Sequence, residues 1–277
     1  MLKKKITCML LAILVIFSFA VVNAEDKDSH TDLSSLLKKA AEYCKRLEHT
    51  SLYFVCMEEV KERIYYLNRP GRVGLRPTRF FNENKYLYDY QLIRKGSQIT
   101  ERRILLEENG KEKNEEDAQL KMQMFDHKYV IFGPIGLLSE RWQQDHDYKI
   151  IGEKKLKDEH VLIVEATPKS STDIDQLFGK IWIRKSDSSI LKIEWNQTSM
   201  GNFDKIKEIA KELNAQPDIT FISEYDFEEK GIRFPSKYFV REEYVHSWRG
   251  RFRRSETTVT YKDYKFFTVE TYVEFKK

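Results

Sequence analysis

No stretch of this chain spells a known catalytic signature. H-E-x-x-H is missing, as are G-x-S-x-G, a Walker loop, G-x-G-x-x-G and C-x-x-C. Helix-borne zinc hydrolysis, elbow-serine chemistry, phosphate-loop catalysis and dinucleotide binding therefore lose their usual support. The six histidines, His30, His49, His127, His146, His160 and His246, include no pair at metal-helix spacing. Asp173 and Asp175 invite a calcium loop, but an EF-hand would need a bidentate glutamate where Arg184 stands. Neighbouring acids such as Glu58-Glu59 and Glu242-Glu243 lie in strand-like sequence, so each pair points apart rather than forming a glycosidase dyad. No catalytic residue, metal or cofactor is expected, and an enzyme with an unfamiliar site is the weakest reading.

Charge of one sign is also lacking. The formal net charge of +4 includes Lys3, Lys4 and Lys5, which belong to a segment expected to be removed. Without them 45 basic residues face 44 acidic ones, which gives nucleic acid no reason to bind. Cysteine is scarce, with three in 277 residues: Cys8, Cys44 and Cys56. After residue 24 no run is apolar enough to cross a membrane.

The first 24 residues read as an export signal. Lys3–Lys5 form the positive region and Ile6–Val22 an apolar run, and Val22-Asn23-Ala24 precedes the sharply polar Glu25-Asp26. The alternative is a retained anchor. Removal leaves residues 25–277 as one domain, periplasmic or secreted.

A helix follows from about Asp32 to His49. Leu33, Leu36, Leu37, Ala40, Cys44 and Leu47 recur every three or four residues and make one apolar stripe. Ser51–Leu67 turns to strand character, Asn68–Pro77 is a loop, and strands follow at Phe80–Arg94 and Ile99–Glu107. Glu108–Asp117 reads as a charged connection, Ala118–Phe125 as weakly helical, and Gly133–Gln144 as a short helix opened by Pro134. Tyr148–Glu153 and Val161–Ala166 form a hairpin.

The clearest stretch is Val161–Trp195. Ile181 and Ile183 face one way, Trp182 and Arg184 the other. Leu191, Ile193 and Trp195 share a face opposite Lys192 and Glu194. A helix from Phe203 to Leu213 ends before Pro217. Strands return at Ile219–Glu228, Ile232–His246 and Thr257–Phe275, the last broken near Asp263. The fold class is α+β: a curved antiparallel meander under an N-terminal amphipathic helix, with short inserted helices.

Three features bear on function. Cys44 and Cys56 are the only cysteines after the leader; export favours a bridge between helix and strand, and two buried thiols are the alternative. Arg69, Arg72, Arg76 and Arg79 form one basic cluster. Arg249, Arg251, Arg253 and Arg254 form another at a hairpin tip, interleaved with Trp248 and Phe252. The tip suits an anionic membrane surface or an acidic envelope protein, or it is a charged sheet edge that resists pairing. Finally, aromatics make up 13% of the chain, mostly in strands. They fill a core or line an apolar cavity.

The leader, the helix Asp32–His49 and the hairpin FGKIWIRKSDSSILKIEW, followed later by Gly231-Ile-Arg-Phe-Pro235, resemble the outer-membrane lipoprotein carrier superfamily, the LolA/LolB-like fold. This chain is longer, with extra material at Glu108–Gln144 and Ser199–Pro217. The resemblance implies a strongly curved, incomplete antiparallel barrel with helices as a lid over an apolar face that takes acyl chains. It implies Leu33, Leu36, Leu37 and Ala40 on the lid and Trp182 or Trp195 on the sheet. The expected role is a monomeric, non-enzymatic binding protein for a lipid or acylated ligand. The rival is an envelope interaction protein with a filled core that docks through its basic tip. N-terminal sequencing of the exported protein should begin at Glu25; a start at Met1 would mean a retained anchor.

Overall fold

The computed structural model describes residues 32–52, 54–66, 80–95, 98–121, 124–125, 127–169, 177–199, 201, 203–248 and 250–267. The first 24 residues, the Arg69–Arg79 cluster, Asp173, Asp175 and Arg249 lie outside them. Among the described residues no helix is long and apolar enough to cross a membrane.

Helix α1 runs Leu33–Thr50 and buries Leu36, Ala40, Tyr43, Cys44 and Leu47. These positions follow the helical period, and polar side chains take the opposite face. Tyr43 was missing from the expected stripe. Its hydroxyl accepts from the Arg233 amide at 3.0 Å and so pins the helix to a strand far along the chain.

Strands β1 (Phe54–Tyr66), β2 (Phe80–Lys95), β3 (Gln98–Glu108) and β4 (Lys111–Glu115) form one antiparallel meander. Strands β5 (His146–Leu156), β6 (Glu159–Pro168), β7 (Gly179–Arg184), β8 (Ile190–Trp195) and β9 (Gln216–Glu224) form another. Strands β12 (Lys237–His246) and β13 (Gly250–Phe266) stand between the two, so the eleven strands run 4-3-2-1-13-12-9-8-7-6-5. The small hairpin β10 (Phe227–Glu229) with β11 (Ile232–Phe234) is separate. The sheet is curved and does not close, as expected of an incomplete barrel.

Local sequence misled at several points. Lys111–Glu115 is a strand after a turn at Asn109-Gly110, although four of its five residues are charged and none is apolar; it is an edge strand, exposed throughout. Pro217 lies inside β9 rather than ahead of it. The expected strand pairs 219–228 and 232–246 each break, at Tyr225-Asp226 and Pro235-Ser236. Among the described residues of 118–125 there is no helix. A bulge in the β7–β8 pairing, where Trp182 faces Lys192 but Ile183 faces Ile190, leaves Leu191 as the extra residue. Leu191 accordingly packs with Trp182 and Val161 on one face, while Ile193 and Trp195 join the main core on the other.

Strands β4 and β5 are the two edges, so the chain between them must travel from one side of the sheet to the other. It crosses over the inner face as a strap that carries a 3-10 turn (Val130–Phe132) and helices α2 (Gly133–Leu138) and α3 (Glu140–Gln143). Helix α4 (Phe203–Glu212) sits beyond β8.

The strap is held at its middle by a buried ionic cluster. The Glu58 carboxylate on β1, wholly buried, accepts from Arg103 Nε at 2.6 Å and Nη2 at 3.1 Å, and lies 2.8 Å from His127 Nε2. Arg103 also donates to Glu101, and Glu101 accepts the Tyr129 amide at 2.6 Å and the Tyr90 hydroxyl at 3.0 Å. His127 and Tyr129 belong to the strap; the carboxylates belong to the sheet. Glu58 and Glu62 point inward together, four residues apart, and Glu62 accepts the Met124 amide at 3.0 Å.

The two cysteines are not bridged; both are buried thiols. Cys44 turns toward α2 and donates to the Pro134 carbonyl at 3.4 Å, whereas Cys56 sits on the inner face of β1 beside Tyr264. Each thiol has its own partner on a different element. Burial pushes both well above the usual thiol range, which suppresses the thiolate that oxidation needs. Denaturing alkylation of the 25–277 chain without reductant should add two groups; a mass two hydrogens lower with none added would establish the bridge instead.

Burial alone would raise the Glu58 pKa, but His127 and Arg103 outweigh it and hold the carboxyl at about 2 against an ordinary 4.5. The unfolded chain thus takes up this proton at higher pH than the folded one. The contribution is complete above about pH 4.5 and fades toward pH 2. Glu58→Gln should cost about 3–5 kcal/mol, because the buried cluster loses the carboxylate that Arg103 and His127 share, and should flatten the acid limb of stability across that interval. Urea midpoints measured against pH check both; an unchanged acid limb would refute the role.

Candidate functional site

Between the strap and the sheet the structure leaves a cavity of about 770 Å³. The strap supplies Phe125, Val130, Phe132, Ile135 and Trp142. The sheet supplies Trp195 from β8, Phe221 and Ser223 from β9 and Tyr238 from β12. Leu177, just before β7, closes one side. These side chains face inward because each strand alternates, and the inner face is the apolar one.

The sheet side is an aromatic row. Trp195 and Phe221 stack with centroids 5.7 Å apart, and Phe221 meets Tyr238 edge-on at 5.3 Å. Tyr238 in turn lies 5.6 Å from the His127 ring, so the cavity wall runs directly into the ionic cluster. The Trp195 indole donates to Ser223 Oγ at 2.9 Å, which satisfies its polar edge inside an apolar wall.

Gly133 sets how closely the strap approaches. A Cβ there would stand 2.5 Å from the Tyr225 hydroxyl and 2.9 Å from the Trp195 ring. Tyr225 donates to the Val130 carbonyl at 3.0 Å, and burial raises its pKa and keeps it a donor. At the far end Tyr148 donates to the Leu137 carbonyl, and Gln143 donates to the carbonyls of Leu37 and Leu138 at 2.8 and 2.7 Å. The His146 ring bridges two wall residues, with Nδ1 and Nε2 each 2.9 Å from the carbonyls of Trp142 and Leu177.

The residues singled out from sequence are spread over different places. Trp195 is on the cavity wall. Trp182 is on the opposite face of the sheet, packed with Val161 and Leu191 beneath the Lys192 and Lys154 ammonium groups, 4.4 and 5.2 Å from its ring. Leu36 and Ala40 are buried in the core, with Leu33 and Leu37 packed half-buried against it. None of these four is among the described residues that line the cavity; helix α1 contributes Glu48 instead. Of the tip arginines, Arg251 pairs with Asp218 and Glu243, Arg253 with Glu243 and Glu256, and Arg254 with Glu242. Their charge is largely spent within the molecule.

Sequence reasoning missed the strap side altogether, because Glu108–Gln144 reads as an insertion. A signal was present: Tyr129–Leu138, YVIFGPIGLL, is a dense apolar run. Such a run outside any strand needs an apolar surface to lie on.

No protein-family model and no curated protein matches the chain. Among solved structures it is similar to a DUF1329 family protein from Desulfovibrio piger, with 11% identity, 85% of this chain and 95% of that one covered, and a TM-score of 0.38. It is also similar to a LolA superfamily protein from Nitrosomonas europaea, at 12% identity, 86% and 94% coverage and a TM-score of 0.33. A third is a putative outer membrane lipoprotein-sorting protein domain from Vibrio parahaemolyticus, at 11% identity, 85% and 95% coverage and a TM-score of 0.34. Its neighbours are thus DUF1329 and LolA superfamily proteins, while identities this low leave function to be read from this chain's own residues.

Proposed function

We propose that this chain is an exported, non-enzymatic binding or carrier protein that holds a lipid or other apolar ligand between strap and sheet. The observation that carries the reading is the cavity itself: about 770 Å³, walled by aromatic and aliphatic side chains, within the roughly 300–1,000 Å³ of small-ligand sites. An aromatic row this long would fill the space if it served only as core. Ser223, a hydroxyl on the wall, is engaged by the Trp195 indole, which supports binding over catalysis. The reading of residues 1–24 as an export signal supports it, because an exported protein has acylated ligands and anionic membrane surfaces at hand. The basic hairpin tip as a docking site is the weaker reading, since its described arginines already hold intramolecular carboxylates.

Each methylene buried is worth about 0.8 kcal/mol, so affinity should rise about fourfold per added carbon in a chain-length series until the cavity is full. Leu177→Glu, at a wall position already 37% exposed, should leave circular dichroism unchanged and lower uptake of N-phenylnaphthylamine at least tenfold. A protein that takes up neither this probe nor any envelope lipid, by fluorescence and native mass spectrometry, would sink the proposal.

A further inference from the structure

We infer that the cavity takes a single-chain zwitterionic amphiphile, a lysophospholipid being the type; this rests on the apolar-ligand reading above. Two observations carry it, one of size and one of charge.

A chain of roughly 16 carbons fills about 480 Å³ at about 30 Å³ per heavy atom, the share of liquid volume that one water takes. One such chain fits a cavity of about 770 Å³, and two exceed it. A diacyl lipid or a triacylated peptide would therefore leave a chain uncovered, whereas a single chain is covered whole. A single chain leaves room only for its linkage to the head.

Charge then selects the head. Two of the described residues lining the cavity carry formal charge, Lys128 on the strap and Glu48 near the end of α1, and both are exposed. Neither enters an ion pair within 4 Å among the described residues. On the sheet, by contrast, charges are widely matched: Arg103 to Glu58 and Glu101, Arg63 to Glu83, Arg253 to Glu243 and Glu256. A fatty carboxylate would gain Lys128 and carry its charge toward Glu48. An alkylammonium would do the reverse. A head with both phosphate and ammonium meets each with its opposite. Such a ligand would also tie strap to helix, because its two charges grip different elements.

The test uses the delipidated mature chain and three single-chain probes below their aggregation concentrations: palmitoyl lysophosphatidylethanolamine, palmitate and hexadecyltrimethylammonium. Dipalmitoyl phosphatidylethanolamine vesicles are the fourth arm. Native mass spectrometry should show one lysolipid per chain, and calorimetry should find palmitate and the alkylammonium about tenfold weaker. Lys128→Glu should shift preference toward the alkylammonium and Glu48→Lys toward palmitate, with each weakening lysolipid about tenfold; both sites are exposed, so circular dichroism should not change. Equal binding of lysolipid and palmitate, or indifference to both charge reversals, would overturn the head-group assignment. Preferred extraction of the diacyl lipid would overturn the size argument. Failure of every chain-bearing probe would overturn the apolar-ligand reading itself.

Discussion

A carboxylate sealed inside a β-sheet protein must be paired, or the fold pays the cost of an isolated buried charge. Glu58 is that carboxylate here. Its partners come from two directions: Arg103 from β3, across the intervening β2, and His127 from the strap. The strap can settle only where His127 reaches Glu58 and Tyr129 reaches Glu101. Apolar contact alone would let it slide along an aromatic surface, since such contacts are non-directional. The ionic cluster supplies the direction, and the position of the cavity follows from it.

The rest of the site is a consequence of this anchoring. Beyond Tyr129 the strap turns helical, and Gly133 lets it come down onto Trp195 and Tyr225. Farther on, Tyr148 and His146 of edge strand β5 bind its carbonyls, and Gln143 ties it to α1. Held at its middle by His127 and Tyr129 and at its far end by β5, the strap leaves unfilled space beneath the stretch between them. Helix α1 stacks against it through Cys44 and Leu37 and is locked from behind by the Tyr43 hydrogen bond to Arg233. The cover of the cavity is thus the strap first and the helix second.

The open sheet keeps to itself by ordinary means. Edge strand β4 is short and wholly polar, with four charged residues of five. Edge strand β5 carries Lys149, Lys154 and Lys155 and a bulge between Ile150 and Gly152. Both features discourage edge-to-edge pairing. The basic hairpin tip belongs to the same economy: its arginines hold Glu242, Glu243 and Glu256 in place on the sheet.

The sequence by itself determined what depends on near neighbours. The helical stripe of α1, the β7–β8 hairpin and the inward Ile181 and Ile183 follow from periods of 3.6 and 2 and from turn chemistry, whereas the break expected near Asp263 is absent, since β13 runs through it unbroken. Periodicity fails wherever one extra residue enters, as at Leu191, since a single insertion swaps the faces. The tertiary structure alone decided that β1 lies beside β13 and that the meander is two halves joined there. It decided that Cys44 and Cys56 face different partners, and that Trp195 rather than Trp182 meets the cavity. It also decided that an apparent insertion is the strap. Each of these is a pairing of residues far apart in the chain, and such pairings are chosen by the burial and charge matching of the whole fold, which no local window contains.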